Sequence, residues 1–228
     1  MCGRFTLTQS AAAIADAFDL LELPIVAPRY NIAPTQPVSV VRAEASSAQR
    51  QFTYLYWGLI PSWAKDPSMG ARMINARAET VTEKPAFRAA FKRRRCLIVA
   101  DGFYEWQATG RQKQPYYFCL PDRQPFALAG LWEHWQSSLG DEIESCTILT
   151  TAANDRLRPI HDRMPVILDR SQYDLWLDPQ VQSADRLLPL LQPYPAEAMQ
   201  HYPVSRAVNN PQNDSPDCIQ PLDEVGAN

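Results

Sequence analysis

The spacing of apolar residues predicts four short helices. Over residues 9–21 apolar side chains recur every three or four positions, as in an amphipathic helix, and Thr8 or Ser10 can cap it. Residues 85–95 show similar spacing, and Pro85 suits a first helical turn. Pro189 limits the last segment, because proline interrupts a helix. Helices are therefore predicted over residues 9–21, 85–95, 171–177 and 184–188.

Alternating residues and short apolar runs predict the strands. Phe52, Tyr54 and Tyr56 lie two positions apart, so they share one face of a strand. The apolar run over residues 96–100 is short enough for a buried strand, and Asp101-Gly102 after it predicts a turn. Strands are predicted over residues 38–42, 52–57, 96–100, 116–120, 126–132 and 146–151, and a polar turn over residues 46–50.

The order of these elements predicts an α+β fold with a mainly antiparallel sheet. The sequence shows no internal repeat and no convincing boundary within residues 1–208. Residues 209–228 differ, because they hold three prolines and four acidic residues but no Lys or Arg. This composition predicts a loosely attached acidic tail behind one domain of residues 1–208.

The charge balance limits the kinds of partner the chain can have. Its 228 residues carry 22 Lys and Arg against 25 Asp and Glu, a formal charge of −3. This excludes a polycation that coats nucleic acid by charge alone, but not a local basic groove. Without the acidic tail, residues 1–208 carry 22 basic and 21 acidic residues. A cationic cluster at residues 88 and 92–95 is expected to be a solvated helix face, with the cations favouring the helix C-terminus.

The cysteine pattern and the missing targeting signals predict an intracellular protein. The chain has five cysteines and no CxxC pair, which favours reduced thiols over a disulfide scaffold. Its first residues lack the apolar segment of a secretory signal, and no apolar run approaches the roughly 20 residues of a membrane span. We expect a soluble cytoplasmic protein that is a monomer or a small oligomer.

Cys2 carries unusual chemistry if Met1 is removed. The chain then begins with an α-amine and a thiol on adjacent carbons, and the amine has a pKa near ~8. An amine attacks an aldehyde to give an imine, and the neighbouring thiol can close a five-membered thiazolidine. On Cys2 alone, an inert terminal cysteine is the simpler interpretation.

Three further segments combine polar residues in ways that suit a reaction site. Asn75 offers donors and an acceptor, but for this residue alone a loop stabilised by an Asx turn is the simpler interpretation. Glu105 follows a buried strand among aromatic residues, which raises a carboxyl pKa, unless the side chain faces outward. It should share a strand face with Phe103. His161 lies in a proline-bounded segment two residues before Arg163, so both side chains can face one ligand. For a single histidine, however, a structural role is commoner than a role in binding.

Arginines and aromatic residues near these segments suggest a nucleic-acid surface. Arg4, Arg77 and Arg163 can contact phosphate, but each can equally form surface ion pairs. Trp106 can stack on a base or pack against the core. The sequence has no P-loop, no GxGxxG and no paired metal-ligand spacing, so no metal or cofactor is predicted.

Taken together, the ordered segments resemble the SOS-response-associated peptidase (SRAP) family of abasic-site processing proteins. No single segment is decisive, but the set covers nearly the whole chain. One departure is Val99, where family members often carry proline. The matching segments are MCGRF (1–5), RYNIAPT (29–35), WGLIPSW (57–63), NARAET (75–80), RCL (95–97), GFYEW (102–106), TTAAN (150–154), HDRMP (161–165) and VSRAVN (204–209).

The resemblance implies a compact domain with a curved, barrel-like, mainly antiparallel sheet and peripheral helices. It also implies that single-stranded DNA with abasic sites is the partner. By position in the motifs, Cys2 is then the nucleophile, surrounded by Asn75, Glu105 and His161. Residues expected near the DNA are Arg4, Arg77, Arg163, Trp106 and Pro34.

The activity implied by this resemblance is self-removal of Met1 followed by covalent crosslinking to the abasic site, a lyase-type chemistry that shields the DNA from strand cleavage. Two other functions stay open at this point. Cys2 and His161 can serve a cysteine peptidase that acts on other proteins. Alternatively, the chain can bind single-stranded DNA without any reaction.

Overall fold

The computed structural model describes residues 2–43, 49–110 and 112–222. Within these residues the chain forms thirteen strands, four α-helices and several short 3-10 turns. The predicted turn at residues 46–50 lies mostly outside the described residues. The helices are α1 (Ala11–Phe18), α2 (Arg88–Arg93), α3 (Tyr173–Leu177) and α4 (Ala184–Leu187). The strands are β1 (Phe5–Leu7), β2 (Arg29–Ile32), β3 (Pro37–Ala43), β4 (Arg50–Trp57), β5 (Asn75–Arg77), β6 (Arg95–Ala100), β7 (Gly102–Thr109), β8 (Gln112–Cys119), β9 (Phe126–Gln136), β10 (Glu142–Ala152), β11 (Arg163–Pro165), β12 (Ile167–Leu168) and β13 (Gln200–Pro203).

Five strands close into a barrel in the order β10-β4-β3-β6-β9, and β9 pairs again with β10. All neighbours in this ring are antiparallel except β4 and β10, which run parallel. Strand β6 is buried on both faces, as its apolar sequence predicts. One face points into the barrel, and α3 covers the other, where the Trp176 indole donates to the Cys96 carbonyl at 2.9 Å.

A second, antiparallel sheet has the order β13-β8-β7-β1-β2. Side chains alternate across it. On one face Phe103 and Phe118 stack with ring centroids 5.2 Å apart and join the main core. On the other face Tyr104 and Tyr117 join a smaller apolar cluster with residues of the C-terminal segment, residues 204–222. The start of the chain thus lies within this sheet, beside the strand that carries Glu105.

The predicted α+β class with mainly antiparallel, barrel-like sheets is confirmed, and the helices lie at the periphery. Ser10 caps α1, because its Oγ accepts a hydrogen bond from the Ala13 amide at 3.2 Å. The helix ends at Phe18 rather than at residue 21, since Asp19 adopts a left-handed conformation with φ 51°. Leu21 is therefore 80% exposed instead of buried. No helix among the described residues is long and apolar enough to cross a membrane.

The C-terminal stretch packs against the domain, so the predicted loose attachment is wrong for residues 209–222. Asp214 accepts hydrogen bonds from the amides of Tyr30 and Asn31 and forms an ion pair with Arg29. Cys218 and Ile219 are buried. The composition was misleading because the acidic side chain of Asp214 binds residues of β2 instead of facing solvent. The boundary at residue 208 stays a prediction.

Candidate active site

Cys2 lies fully buried at the junction of the barrel and the second sheet. Its thiol donates to the Arg4 carbonyl at 3.9 Å. Burial, together with the nearby Glu105 carboxylate, raises the pKa of this thiol well above its usual range. The sulfur is therefore a neutral thiol at neutral pH, not a thiolate.

Asn75 holds Cys2 in place from the neighbouring sheet. Its Nδ2 donates to the Cys2 carbonyl at 2.8 Å. Strand β5 carries Asn75 and pairs in parallel with β10, where Asn75 lies opposite Ile148. The Asn75 Oδ1 is buried and has no hydrogen-bond partner among the described residues. One end of the amide thus fixes Cys2, and the other can accept a hydrogen bond from an N–H or O–H group.

Glu105 is only 2% exposed, on the face of β7 that it shares with Phe103. The shared face predicted from the sequence is confirmed. The sheet register brings β1 alongside: the Tyr104 amide donates to the Arg4 carbonyl at 3.0 Å. Burial raises the pKa of Glu105 to about 7. A carboxyl group with this pKa can both take up and release a proton at neutral pH.

His161 lies on a segment that packs against the strand of Glu105. Gln107, on the same face of β7, donates to the Pro159 carbonyl at 3.1 Å. The carboxylate of Asp162 is close enough to Glu105 to contribute to its raised pKa. The His161 Nδ1 accepts from the Arg163 amide at 2.9 Å, so the neutral ring carries its proton on Nε2. Burial lowers the pKa of His161.

The geometry therefore brings together Cys2, Asn75, Glu105 and the His161 segment. The set combines a nucleophile-bearing residue, an amide clamp and a carboxyl group that titrates near neutrality. It contains no group of His, Cys, Asp and Glu side chains arranged for a metal ion, and none occurs elsewhere in the described ranges. The arrangement suits proton transfer to and from a substrate bound at Cys2.

A cationic edge, formed by Arg77 and Arg163, lies next to Asn75. Arg77 follows it on the same face of β5 and is exposed, with no ion pair to any described residue. Arg163 is different, because it forms a bidentate pair with Glu79 at 2.6 and 2.9 Å and also donates to the Thr150 carbonyl. The ion pair lowers the pKa of Glu79. Of these two arginines, Arg77 has the freer guanidinium.

Arg4 and Trp106 lie on the opposite face of the second sheet from Glu105, against the C-terminal segment. The Arg4 guanidinium donates to Asn31 Oδ1 at 2.7 Å and to the Val208 carbonyl at 2.8 Å. Trp106 Nε1 donates to Asn209 Oδ1 at 2.7 Å. Both side chains have structural partners, and their contact with DNA stays a prediction.

Pro34 is half-buried in the turn between β2 and β3. The next residue, Thr35, has a left-handed backbone with φ 66°, and its amide donates to the Trp57 carbonyl at 2.8 Å. This contact fixes the turn against the end of β4. A role for Pro34 in packing against a base likewise stays a prediction.

A buried network around Asp101 was missed by the sequence reasoning. Its carboxylate accepts hydrogen bonds from Thr6 Oγ1 at 2.5 Å and from the amide and hydroxyl of Thr8. Gly102 allows the close approach of Tyr117, because an added Cβ would lie 2.1 Å from its hydroxyl oxygen. The network anchors β1 and hence the start of the chain. The alternation of Thr6 and Thr8 along the chain was the available signal.

Comparison with known proteins gives consistent matches over nearly the whole chain. The family model described as SOS response associated peptidase (SRAP) matches residues 1–211. The abasic site processing protein YoaM of Bacillus subtilis is 44% identical over 223 residues, 96% of this chain and 97% of that protein. The abasic site processing protein HMCES of Xenopus tropicalis is 35% identical, over 84% of this chain and 65% of that protein.

Solved structures give the same picture of the fold. The crystal structure of a protein from Bacteroides thetaiotaomicron superposes with a TM-score of 0.84 at 28% identity. The alignment covers 97% of this chain and all of that one. Similarity at this level extends through both sheets.

Proposed function

The chain belongs to the SOS response associated peptidase (SRAP) family, and from this premise we propose that it processes abasic sites in DNA. More specifically, it removes Met1 and then crosslinks covalently to an abasic site in single-stranded DNA through Cys2. The observation that carries the proposal is the clamped Cys2 beside a buried carboxyl group whose pKa is about 7.

The first step is hydrolysis of the bond between Met1 and Cys2. Water adds to the Met1 carbonyl carbon, free methionine leaves, and the nitrogen of Cys2 becomes an α-amine. Glu105 takes the proton from the attacking water and delivers it to the leaving nitrogen. Membership of a family described as peptidases supports this step. An ordinary aminopeptidase gives the same product.

The second step joins the protein to the opened sugar of the abasic site. The α-amine adds to the aldehyde carbon, and loss of one water molecule gives an imine. The thiol of Cys2 then adds its sulfur to the imine carbon and its proton to the nitrogen, which closes the thiazolidine. A neutral thiol suits this addition, because the proton it brings is needed on the nitrogen. The closed ring resists the β-elimination that an imine invites.

The surrounding residues assist this chemistry by position. The Asn75 Oδ1 is available to accept a hydrogen bond from the amine, while its Nδ2 keeps the Cys2 carbonyl fixed. Glu105 exchanges protons during loss of water, and His161 donates from Nε2 to help open the sugar ring. Fixed groups of this kind speed ring closure through effective molarity.

The DNA backbone is bound by the cationic edge beside Asn75. Arg77 makes the main phosphate contact, since its guanidinium is exposed and unpaired among the described residues. Arg163, Pro34, Arg4 and Trp106 are proposed as further DNA contacts, the last two at the opposite face of the second sheet. We expect a monomer that associates with DNA in the cytoplasm and uses no cofactor.

Variants of Cys2 test the crosslink by intact mass spectrometry before and after incubation with abasic single-stranded DNA. The parent chain is expected to lack Met1 and to gain the mass of the DNA less one water, in an adduct that survives denaturation. Cys2→Ser keeps the amine but lacks the thiol, so it should give only an imine that borohydride traps. An equally stable untreated adduct with Cys2→Ala would exclude the thiazolidine.

Variants of Glu105 test the first step in a host without methionine aminopeptidase activity. Glu105→Gln is expected to retain Met1, whereas Glu142→Gln, an exposed carboxylate elsewhere, serves as the matched control and should lose it. Complete removal of Met1 from Glu105→Gln would assign the cleavage to something other than this carboxylate.

A cysteine peptidase that cleaves other proteins is the weaker alternative. Such an enzyme needs a thiolate, which requires a lowered thiol pKa, and the pKa of Cys2 is raised instead. Binding without reaction is the other alternative, and the mass measurement above distinguishes it by the missing adduct.

A further inference from the structure

An open pocket of about 500 Å³ lies on the face of the second sheet that carries Glu105. Tyr116, one of its walls, lies directly opposite Glu105 across β7 and β8. Side chains opposite each other on paired strands are roughly 5 Å apart at Cβ. Pro159 and Ile160, which form another wall, come just before His161. The pocket therefore adjoins the candidate active site on two sides, next to Glu105 and next to His161.

The floor of the pocket is aromatic and held in place. His201 stacks on Phe118 with ring centroids 5.3 Å apart and planes inclined by 10°. Tyr116 lies beside it, with centroids 5.9 Å apart. Because Phe118 in turn stacks on Phe103 in the core, the imidazole ring forms a supported platform. A flat ring can stack on such a surface without first ordering it.

The rim of the pocket is polar and of mixed charge. Gln107 and Arg156 are fixed by hydrogen bonds to the carbonyls of Pro159 and Ala196, at 3.1 and 2.6 Å. Asp155 adds a carboxylate to the lining. Asp155 and Arg156 carry opposite charges, so the rim has no net positive charge to attract a phosphate group. An uncharged ring with donors and acceptors suits both the Gln107 amide and the Arg156 guanidinium.

We propose that this pocket receives the base of one nucleotide next to the abasic nucleotide, stacked on Tyr116 and His201. The inference rests on the proposed function and adds a specificity site to it. An abasic nucleotide offers no base of its own for recognition. A neighbouring base held in the pocket would place the empty sugar at Cys2 and select DNA with an intact base on that side.

Binding measurements with unreactive DNA test the pocket directly. The abasic nucleotide is replaced by tetrahydrofuran, which cannot open to an aldehyde, and either flanking nucleotide is replaced by a second tetrahydrofuran. With the parent chain, loss of the base on one flank is expected to weaken binding about 5- to 150-fold, the range expected for stacking of one base. Loss on the other flank should change it less than about twofold.

Two variants and one control make the result specific. His201→Leu and Tyr116→Leu keep apolar volume but remove the ring, and they should abolish the difference between flanks. Tyr54→Leu, on the exposed outer face of the barrel, should keep it. Thermal unfolding of each variant confirms that it is folded.

The possible results distinguish failure of the base pocket from failure of the proposed crosslinking function. No effect of either flank, or a flank effect that persists in both variants, overturns the pocket while leaving crosslinking intact. If the parent does not bind single-stranded abasic DNA under any of these conditions, the proposed function itself fails.

Discussion

At the scale of single residues, the protonation of Glu105 is the least ordinary feature of the site. Its carboxyl group is only 2% exposed, and burial disfavours the charged form enough to raise the pKa to about 7. Catalytic carboxyl groups need such tuning to exchange protons near neutrality, and it costs the folded state stability. Glu105 is therefore expected to trade stability for reactivity.

Replacing Glu105 by Gln tests this trade. Because the pKa of Glu105 in the folded state is raised above its ordinary value of 4.5, folding favours the protonated form, and stability falls as pH rises from about 4.5 to about 7. Glu105→Gln removes this penalty, so it should raise the free energy of unfolding by up to about 3 kcal/mol at pH 8. At pH 4 the two chains should differ little.

Urea unfolding at both pH values measures the effect. Glu142→Gln, in which the carboxylate is exposed, controls for a general effect of removing a negative charge. A gain that is the same at pH 4 and pH 8 would show that Glu105 does not carry the raised pKa.

At the scale of elements, Arg95 joins the ends of two helices. It is 3% exposed and its guanidinium donates to the carbonyls of Phe91 and Lys92 in α2. It also donates to the carbonyls of Trp176 and Asp178 at the end of α3 and to Val181. The expected solvated face is wrong for Arg95, because unpaired carbonyls at helix ends need donors.

Substituting Arg95 by Met is expected to cost about 3 to 5 kcal/mol in free energy of unfolding. The apolar stem is retained, so the loss reports the carbonyls left without a donor. Arg88→Met, in the same cluster but exposed, should change stability by less than about 0.5 kcal/mol. Chemical denaturation of both variants provides the comparison, and equal losses would contradict the role given to Arg95.

The sequence predicted elements with strong patterns and missed those that depend on distant partners. The apolar run of β6 and the cap at Ser10 were visible locally. Strands β1 and β5 span three residues each, too few to show a period, and they exist because β7 and β10 supply their hydrogen bonds. The candidate site residues were predicted from ordered family motifs, whereas the Asp101 network and the pocket at His201 became visible only in the fold.

At the scale of the whole molecule, the C-terminal segment is a structural part of the domain. Asn31 binds three of its carbonyls through Nδ2, from Val208, Asn210 and Asn213. The same asparagine accepts from Arg4 through Oδ1. Residues from both ends of the chain thus meet at one buried amide, 0% exposed. Composition could not show this, since the partners are far apart in sequence.

Truncation after Val208 is therefore expected to destabilise the protein by at least about 3 kcal/mol, because several buried donors lose their acceptors. Truncation after Leu222 keeps every contact named above and should leave the melting temperature within about 2 °C of the parent. Differential scanning calorimetry measures both. If the shorter chain melts like the parent, the segment contributes no stability.

The position of β1 between β2 and β7 has a mechanical consequence. In the crosslink proposed above, DNA attached through residue 2 would pull on a strand that is hydrogen-bonded on both sides. Tension along the strand would then load these bonds together in shear rather than one after another. A motor that moves along the DNA would thus meet an obstacle that resists stepwise unzipping from the point of attachment. Release by force would require the sheet to slip as a unit, so the linkage is backed by the strength of the fold as well as by its covalent bonds.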